Sequence, residues 1–395
     1  MRSVDEHVAA ARALVSPLPV ESAPLAAALG RTLAQDVAAR WDSPPFTNSA
    51  MDGYAVHAAQ TLGASPSSPR TLRIIGESAA GRPYDGVVGD HEAVRIMTGA
   101  PMPAGANAVV PVEMASEQGA VVALAASAMP GAHVRRAGED AAEGDVILAA
   151  GTVLTPARLA ALASVGHASA PVRRRPRVAV LATGDELVSP GIVPGPGQIA
   201  DSNSTLLAAL ATAAGAQVET IPRSRDEADA LIDALTGVSA DVIVTSGGVS
   251  AGAYDVVKHE LSSRGVEFVT VAMQPGKPQG LGVLAGTPIA CLPGNPVSSL
   301  VSFVVFVRPM LRVLAGEPEP EPTVGVAGAA WSSPAGRRQY MPVRFAADGT
   351  VVPATTGGSG SHLVASLAAA QALAMVPQDI LQVEPGDPVA IVEAS

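Results

Sequence analysis

The stretch ADVIVTSGGVSAGAYDVVK, residues 240–258, decides the fold. Residues 241–245 form an apolar, β-branched run of the length of a buried strand. Ser246-Gly247-Gly248 ends that run at once, and Asp255 and Lys258 follow on what reads as the first turns of a helix. A strand that ends in glycines and opens into a helix is an arrangement that cradles anions. Glycine lets the backbone approach closely, and the N–H groups at the helix start point at the ligand. Many α/β proteins carry the same turn for packing alone. The stretch therefore predicts an α/β domain and leaves its ligand to be argued from the rest of the chain.

The neighbouring segments alternate in the same way. Residues 178–183 read as a strand ending in Thr183-Gly184-Asp185-Glu186. Asp201-Ser202-Asn203 opens a helix over 204–214, which Gly215 caps. Residues 217–221 are a strand running into Arg223-Ser224-Arg225-Asp226, and 227–235 are a helix. Downstream come a strand at 267–271, a hairpin-like pair, the turn Leu292-Pro293-Gly294-Asn295-Pro296 and a long apolar helix over 297–314. Alternating strands and helices predict a three-layer α/β domain with a mostly parallel sheet, placed at 171–316.

The flanks differ in character. Residues 4–15 have helical spacing, 24–33 read as a second short helix, and 37–41 look extended. The loop SPPFTNSAMDGYAV follows, in which Pro44-Pro45 forbids regular structure. From 72 to 122 the pattern is β, broken by Pro, Gly and Asp clusters. VRRAGED follows at 134–140, then a hairpin-like piece at 145–154 and a helix that Thr155 caps and Pro156 begins. This predicts a helical and extended N-terminal domain from 1–44 and 139–170, with a small β domain, 45–138, inserted into it. EPEPEPT is a low-complexity linker, and 317–395 read as a C-terminal, barrel-like β domain.

Composition excludes several classes. The 395 residues are 48% hydrophobic and 15% charged, which a disordered chain is not. A net charge of −11 and 3% aromatics argue against nucleic-acid binding. One cysteine, Cys291, rules out an internal disulfide or a multi-cysteine metal site. An acidic pair near the start argues against a signal peptide, and no uninterrupted apolar stretch reaches a membrane span, so the expected location is the cytoplasm. Of 25 basic residues only Lys258 and Lys277 are lysine, and both sit in glycine-flanked segments. No Walker-type loop, HExxH or GxSxG motif is present.

Ligands of open α/β sheets sit beyond the carboxyl ends of the strands. There this chain places Thr183, Gly184, Asp185 and Glu186, then Asp226, then Ser246, Gly247 and Gly248, then 274–277 with Lys277, then Pro293, Gly294, Asn295 and Pro296. Glycine N–H groups and a lysine suit phosphate. Carboxylates repel it unless a divalent cation lies between, and oxygen donors of this kind suit Mg²⁺. Taken singly, Asp185 and Asp226 are as well explained as solvated loop charges or helix caps.

The motifs PPFTNSAMDGYAV, RIMTGAPMPAGANAVVPVE, RRAGED, VAVLATGDELV with GQIADSN, RSRD, VIVTSGGVSAGAYDVVK, PGKPQGLG and LPGNPVSSLVSF occur in order from Trp41 to Phe303. As a set they resemble the MoeA-type molybdopterin molybdenumtransferases, a family that includes the C-terminal domain of gephyrin. The resemblance implies an elongated homodimer of four-domain subunits. It implies insertion of molybdate into adenylylated molybdopterin with Mg²⁺ and release of AMP, with a molybdopterin adenylyltransferase as delivery partner. The cleft would be completed by the partner subunit's proline-rich loop and small β domain. By motif, the functional positions fall on Asp52, Thr98, Asp140, Glu186, Asp226, Asp255, Lys277, Pro293 and Pro296. Glu186, Asp226 and Asp255 would hold Mg²⁺, while Thr98, Ser361 and Arg337 would offer donors to molybdate.

One departure stands out. Where many relatives read Lys-Pro-Gly-Lys, this chain reads Gln274-Pro275-Gly276-Lys277. An amide replaces one cation, with Arg337 or Arg338 as candidate compensation. A non-catalytic molybdopterin-binding scaffold, a tungstate-preferring paralogue and a related nucleotide-hydrolysing enzyme are the competing readings.

Overall fold

The computed structural model describes residues 1–221, 228–249, 256–355 and 365–394, so Asp226, Asp255 and Ser361 lie outside the described residues. The chain is an α/β multidomain protein with three six-stranded sheets as its main bodies.

The central sheet carries the elements that position the site. In chain order they are β1 (Arg177–Ala182), α1 (Ser202–Ala213), β2 (Gln217–Thr220), α2 (Ala228–Thr236), β3 (Val242–Ser246), α3 (Val256–Ser262), β4 (Val266–Thr270), β5 (Pro278–Leu284), β6 (Thr287–Leu292) and α4 (Pro296–Ser302). The strand order is β2-β1-β3-β6-β5-β4. The first four strands run parallel, β5 alone is reversed, and β4, antiparallel to β5, runs with the first four. The reversal is local. Ala285 and Gly286 have φ of +48° and +88°, the left-handed pair that a two-residue hairpin turn needs.

Both faces of the parallel strands are covered, which is why they read as unbroken apolar runs. Val178, Val180, Val242 and Val244 pack against α1 and the helical run after β6. Ala179, Leu181 and Ile243 pack against Leu231, Leu235 and Leu261 on the other side. The single helix predicted over 297–314 is in fact α4, a π turn at Phe303–Val307 and a further helix at Arg308–Ala315. By length and composition this run could cross a membrane, yet 83% of its most apolar window is buried within the fold.

The first helix, Val4–Ala13, begins with a capping box in which Ser3 and Glu6 satisfy each other's backbone N–H groups. The second predicted helix, 24–33, does not form. Val20–Pro24 is a strand paired with Ser169–Arg173, followed by one 3-10 turn at Leu25–Ala27. Gly30 and Leu33 then donate to the carbonyls of Leu154 and Thr152 at 2.8 and 2.9 Å, so long-range pairing overrides an alanine-rich window. Nor is 145–154 a hairpin, since Val146–Leu148 pairs with Val37–Ala38 instead.

Gly53–Val56 lies within a six-stranded sheet built from residues 53–124, with its own core around Tyr54, Leu72, Val122 and Leu124. The C-terminal sheet runs Met273–Gln274, Arg338–Phe345, Ala372–Val376, Pro388–Glu393, Thr323–Val326. Its first strand belongs to the loop between β4 and β5, which pairs in parallel with Arg338 and Gln339.

Candidate functional site

At the carboxyl edge of the central sheet the turns after β1, β3 and β6 touch one another. Thr183 N–H donates to the Ser246 carbonyl at 2.9 Å, and Gly247 N–H to the Leu292 carbonyl at 3.1 Å. Gly247 has φ +95°, and a Cβ there would lie 2.5 Å from the Thr183 carbonyl oxygen. Only glycine fits. A Cβ on Gly294 would meet Gly247 Cα at 3.4 Å, so the third turn closes on the second. This edge, where β1 and β3 lie side by side and the chain winds outward in both directions, is the topological switch point at which doubly wound sheets bind ligands.

Beneath the turns lies a buried polar knot. Ser246 is 1% exposed. Its Oγ accepts from Asn203 Nδ2 at 2.8 Å, donates to the Pro293 carbonyl at 3.1 Å and lies 3.0 Å from Ser299 Oγ. Asn203 Nδ2 also donates to the Gly294 carbonyl at 2.7 Å, while its Oδ1 is buried without a partner. Asn203 is held there because Asp201 caps α1, accepting from the Ser204 N–H at 3.0 Å. Ser246 therefore fixes the rim, while Gly294 and Asn295 present its exposed surface at the start of α4. Pro293 is buried, and Pro296 is the first residue of α4.

Asp185 and Glu186 are exposed on the β1 turn. The Glu186 carboxylate lies over Gly184, where a Cβ would stand 2.6 Å from its Oε2. Next to this turn is a cavity of about 560 Å³ lined by Ala182, Asp201, Ser204, Thr220 and Ile221 among others. Ile221 directly precedes the segment containing Asp226.

The loop after β4 reaches the same edge, because β5 starts beside the end of β6. It is closed by Val271 N–H donating to the Lys277 carbonyl at 2.8 Å. From below, Gln279 Nε2 holds the Gly276 carbonyl and Ser302 Oγ, each at 2.6 Å. Lys277 is exposed. Gln274 Oε1 accepts from Arg337 Nη1 at 3.0 Å, which brings the C-terminal sheet's arginine to the lysine loop.

The remaining predicted residues lie elsewhere. Asp52 Oδ1 accepts from both the backbone N–H and the hydroxyl of Thr98, at 2.7 and 2.9 Å. Those bonds, the backbone one first, hold the Asp52 carboxyl below the usual carboxylate range. The Asp140 carboxylate accepts from Ser43 Oγ at 3.4 Å. Among the described residues, the bonds of Asp52, Thr98 and Asp140 stay within residues 43–140. Thus the chain brings together Thr183, Gly184, Glu186, Ser246, Gly247 and Pro293 to Pro296. It joins Gln274 and Arg337 beside Lys277, and it sets Asp52 with Thr98 apart. Among the described residues no group of three or more His, Cys, Asp or Glu side chains is arranged to hold a metal.

Sequence reasoning missed Asn203 and Ser299 as parts of the rim. The available signal was an asparagine two residues after a helix-capping aspartate, on the helix that follows a glycine turn.

Residues 2–166 match the MoeA N-terminal region (domain I and II), 179–313 the probable molybdopterin binding domain, and 324–393 the MoeA C-terminal region (domain IV). The chain is 46% identical over 401 residues to molybdopterin molybdenumtransferase 2 of Mycobacterium tuberculosis, with 98% of each chain covered. It is 36% identical over 416 residues to molybdopterin molybdenumtransferase 1 of that organism, covering 98% of this chain and 97% of the relative. The crystal structure of a molybdopterin biosynthesis MoeA protein from Pyrococcus horikosii superposes with a TM-score of 0.84 at 31% identity, covering 100% of this chain and 99% of that one. The chain belongs to the MoeA family of molybdopterin molybdenumtransferases.

Proposed function

We propose that the protein inserts molybdate into adenylylated molybdopterin with Mg²⁺ and releases AMP. The observation that carries this reading is the fused rim: three glycine turns and the Lys277 loop share one sheet edge at the switch point. Backbone N–H groups in the turns after β3 and β6 would receive phosphate oxygens, while the Gly247 N–H itself is held by the Leu292 carbonyl. Lys277, exposed at the same edge, would offset charge as the pyrophosphate separates. Arg337, pinned by Gln274, would lie at the molybdate end together with Ser361 and Thr98.

The donor chemistry fits Mg²⁺. Glu186 presents a hard carboxylate directly over the glycine turn, and Asp226 and Asp255 are its proposed companions. The ion would neutralise the phosphates of the bound substrate. Thr183, Asp185 and Ser246 complete the proposed lining, with Ser246 acting from beneath through Pro293 and Asn203.

Among the described residues, Asp52, Thr98 and Asp140 have their partners within the N-terminal half of the chain. They enter this reading as the contribution of a second subunit, so that a homodimer has two shared clefts. The division at 1–44 with 139–170, 45–138, 171–316 and 317–395 is the proposed domain frame. A molybdopterin adenylyltransferase would supply the substrate, in the cytoplasm.

The test is turnover. Purified protein given adenylylated molybdopterin, Mg²⁺ and molybdate or tungstate in parallel should release AMP, faster with molybdate. Bound pterin without AMP release would support the scaffold reading, and faster release with tungstate the tungstate-preferring one.

A further inference from the structure

We infer that Asp5, at the opposite end of the chain from the chemistry, is a positioning residue for the oxyanion end of the site. This rests on the proposed reading of Lys277 and Arg337. Three distant segments meet there as a short ribbon. Arg2 N–H donates to the Thr270 carbonyl and Ala272 N–H to the Arg2 carbonyl, both at 2.9 Å. On the other side Arg338 N–H donates to the Ala272 carbonyl at 2.9 Å, and Met273 and Gln274 pair with Arg338 and Gln339. Residues 271–274 are thus the middle strand, and Lys277 closes back onto that strand through Val271.

Asp5 ties the two outer strands together. Its Oδ1 and Oδ2 accept from Arg338 Nη1 and Nη2 at 2.7 and 2.8 Å, a bidentate pair across 333 residues of sequence. Arg338 is the neighbour of Arg337, which holds Gln274. Just before the same helix, Arg2 engages the Glu267 carboxylate at 2.8 Å. Asp5 therefore sets the strand from which Arg337 reaches Gln274. The Asp5 side chain is 75% exposed, so its replacement opens no core. A fork-shaped pair fixes direction as well as distance, which a lysine or a water cannot reproduce.

The experiment measures steady-state AMP release with Asp5→Asn, Asp5→Glu and Arg337→Gln, varying molybdate and adenylylated pterin separately, with melting temperature alongside. Asp5→Asn should raise KM for molybdate about fivefold, the loss of one good ion pair. The pterin KM and melting temperature should hardly change, and Asp5→Glu should restore the value to within about twofold. If Arg337→Gln raises the molybdate KM and Asp5→Asn does not, the inference is overturned. If Asp5→Asn shifts both KM values and the melting temperature together, its role is structural and the inference is also overturned. If Arg337→Gln leaves the molybdate KM unchanged, the reading of the oxyanion end itself fails.

Discussion

Arg337 Nη1 donates to Gln274 Oε1 at 3.0 Å, a bond that crosses from the C-terminal sheet to the loop carrying Lys277. The guanidinium can only donate, so it fixes which end of the amide faces it. The Gln274 amide N–H₂ is then the end turned away from Arg337, a neutral donor on the loop that carries Lys277. Gln274→Glu keeps the contact with Arg337 and strengthens it by charge. It also replaces that donor with a carboxylate oxygen. Molybdate KM should rise about tenfold while the melting temperature stays level or rises. An unchanged KM in steady-state assays would mean that no anion approaches this loop.

Gly247 separates crowding from backbone preference. Its alanine variant would place Cβ 2.5 Å from the Thr183 carbonyl oxygen at φ +95°, so the β1 and β3 turns must part. Gly336 also has positive φ, +69°, but has open space around it. Urea unfolding should show a loss of roughly 3 kcal/mol for Gly247→Ala and about 1 kcal/mol for Gly336→Ala. Only Gly247→Ala should abolish pterin binding. Equal losses would remove the close-packed rim from the account.

Shared clefts predict complementation. Asp52→Asn and Lys277→Gln should each abolish most turnover without unfolding the chain, since both side chains are exposed. Mixed and reassembled, the two inactive variants should recover about a quarter of wild-type activity, because half the dimers are mixed and each has one intact cleft. No recovery from a mixture proven to contain mixed dimers would place both residues in one subunit's site, or outside it.

His7 makes stability depend on pH. Its ring lies edge-on to Phe306, with centroids 4.6 Å apart, and is 1% exposed. Burial first, and then the charge of Arg2, push its pKa from 6.5 down to about 4. Between those values the unfolded chain binds the proton and the folded chain does not, so stability rises with pH. The contribution is complete above about pH 6.5 and is lost as pH falls toward 4, by at most about 3 kcal/mol. Urea titrations at pH 4.5 and 7 should show this slope, and His7→Leu should flatten it. The same slope in the variant would assign it to other groups.

The central domain was legible because its physics is local. Strands buried on both faces read as β-branched runs such as 241–245, and glycines that must let backbones touch stand at each strand end. Where the sequence misled, composition imitated periodicity. The alanines around 24–33 suited a helix, but pairing with residues 152–154 used their backbone groups instead. The π turn at Phe303–Val307 has no separate mark in an apolar run. Asn203 was visible only as a helix opener, because its two acceptors, Ser246 and Gly294, are 43 and 91 residues away. The Asp5–Arg338 pair spans 333 residues and carries no motif. Long-range polar pairing of this kind follows from the packing of whole domains and leaves no local pattern.

The central claim is transfer of the metal coupled to loss of the nucleotide. The most direct measurement is a single-turnover reaction in which AMP and pterin-bound molybdenum are quantified from the same sample. The account predicts one molybdenum bound per AMP released, with both signals lost in Lys277→Gln. AMP released at full rate without molybdenum in the product would make the protein a hydrolase and contradict the account.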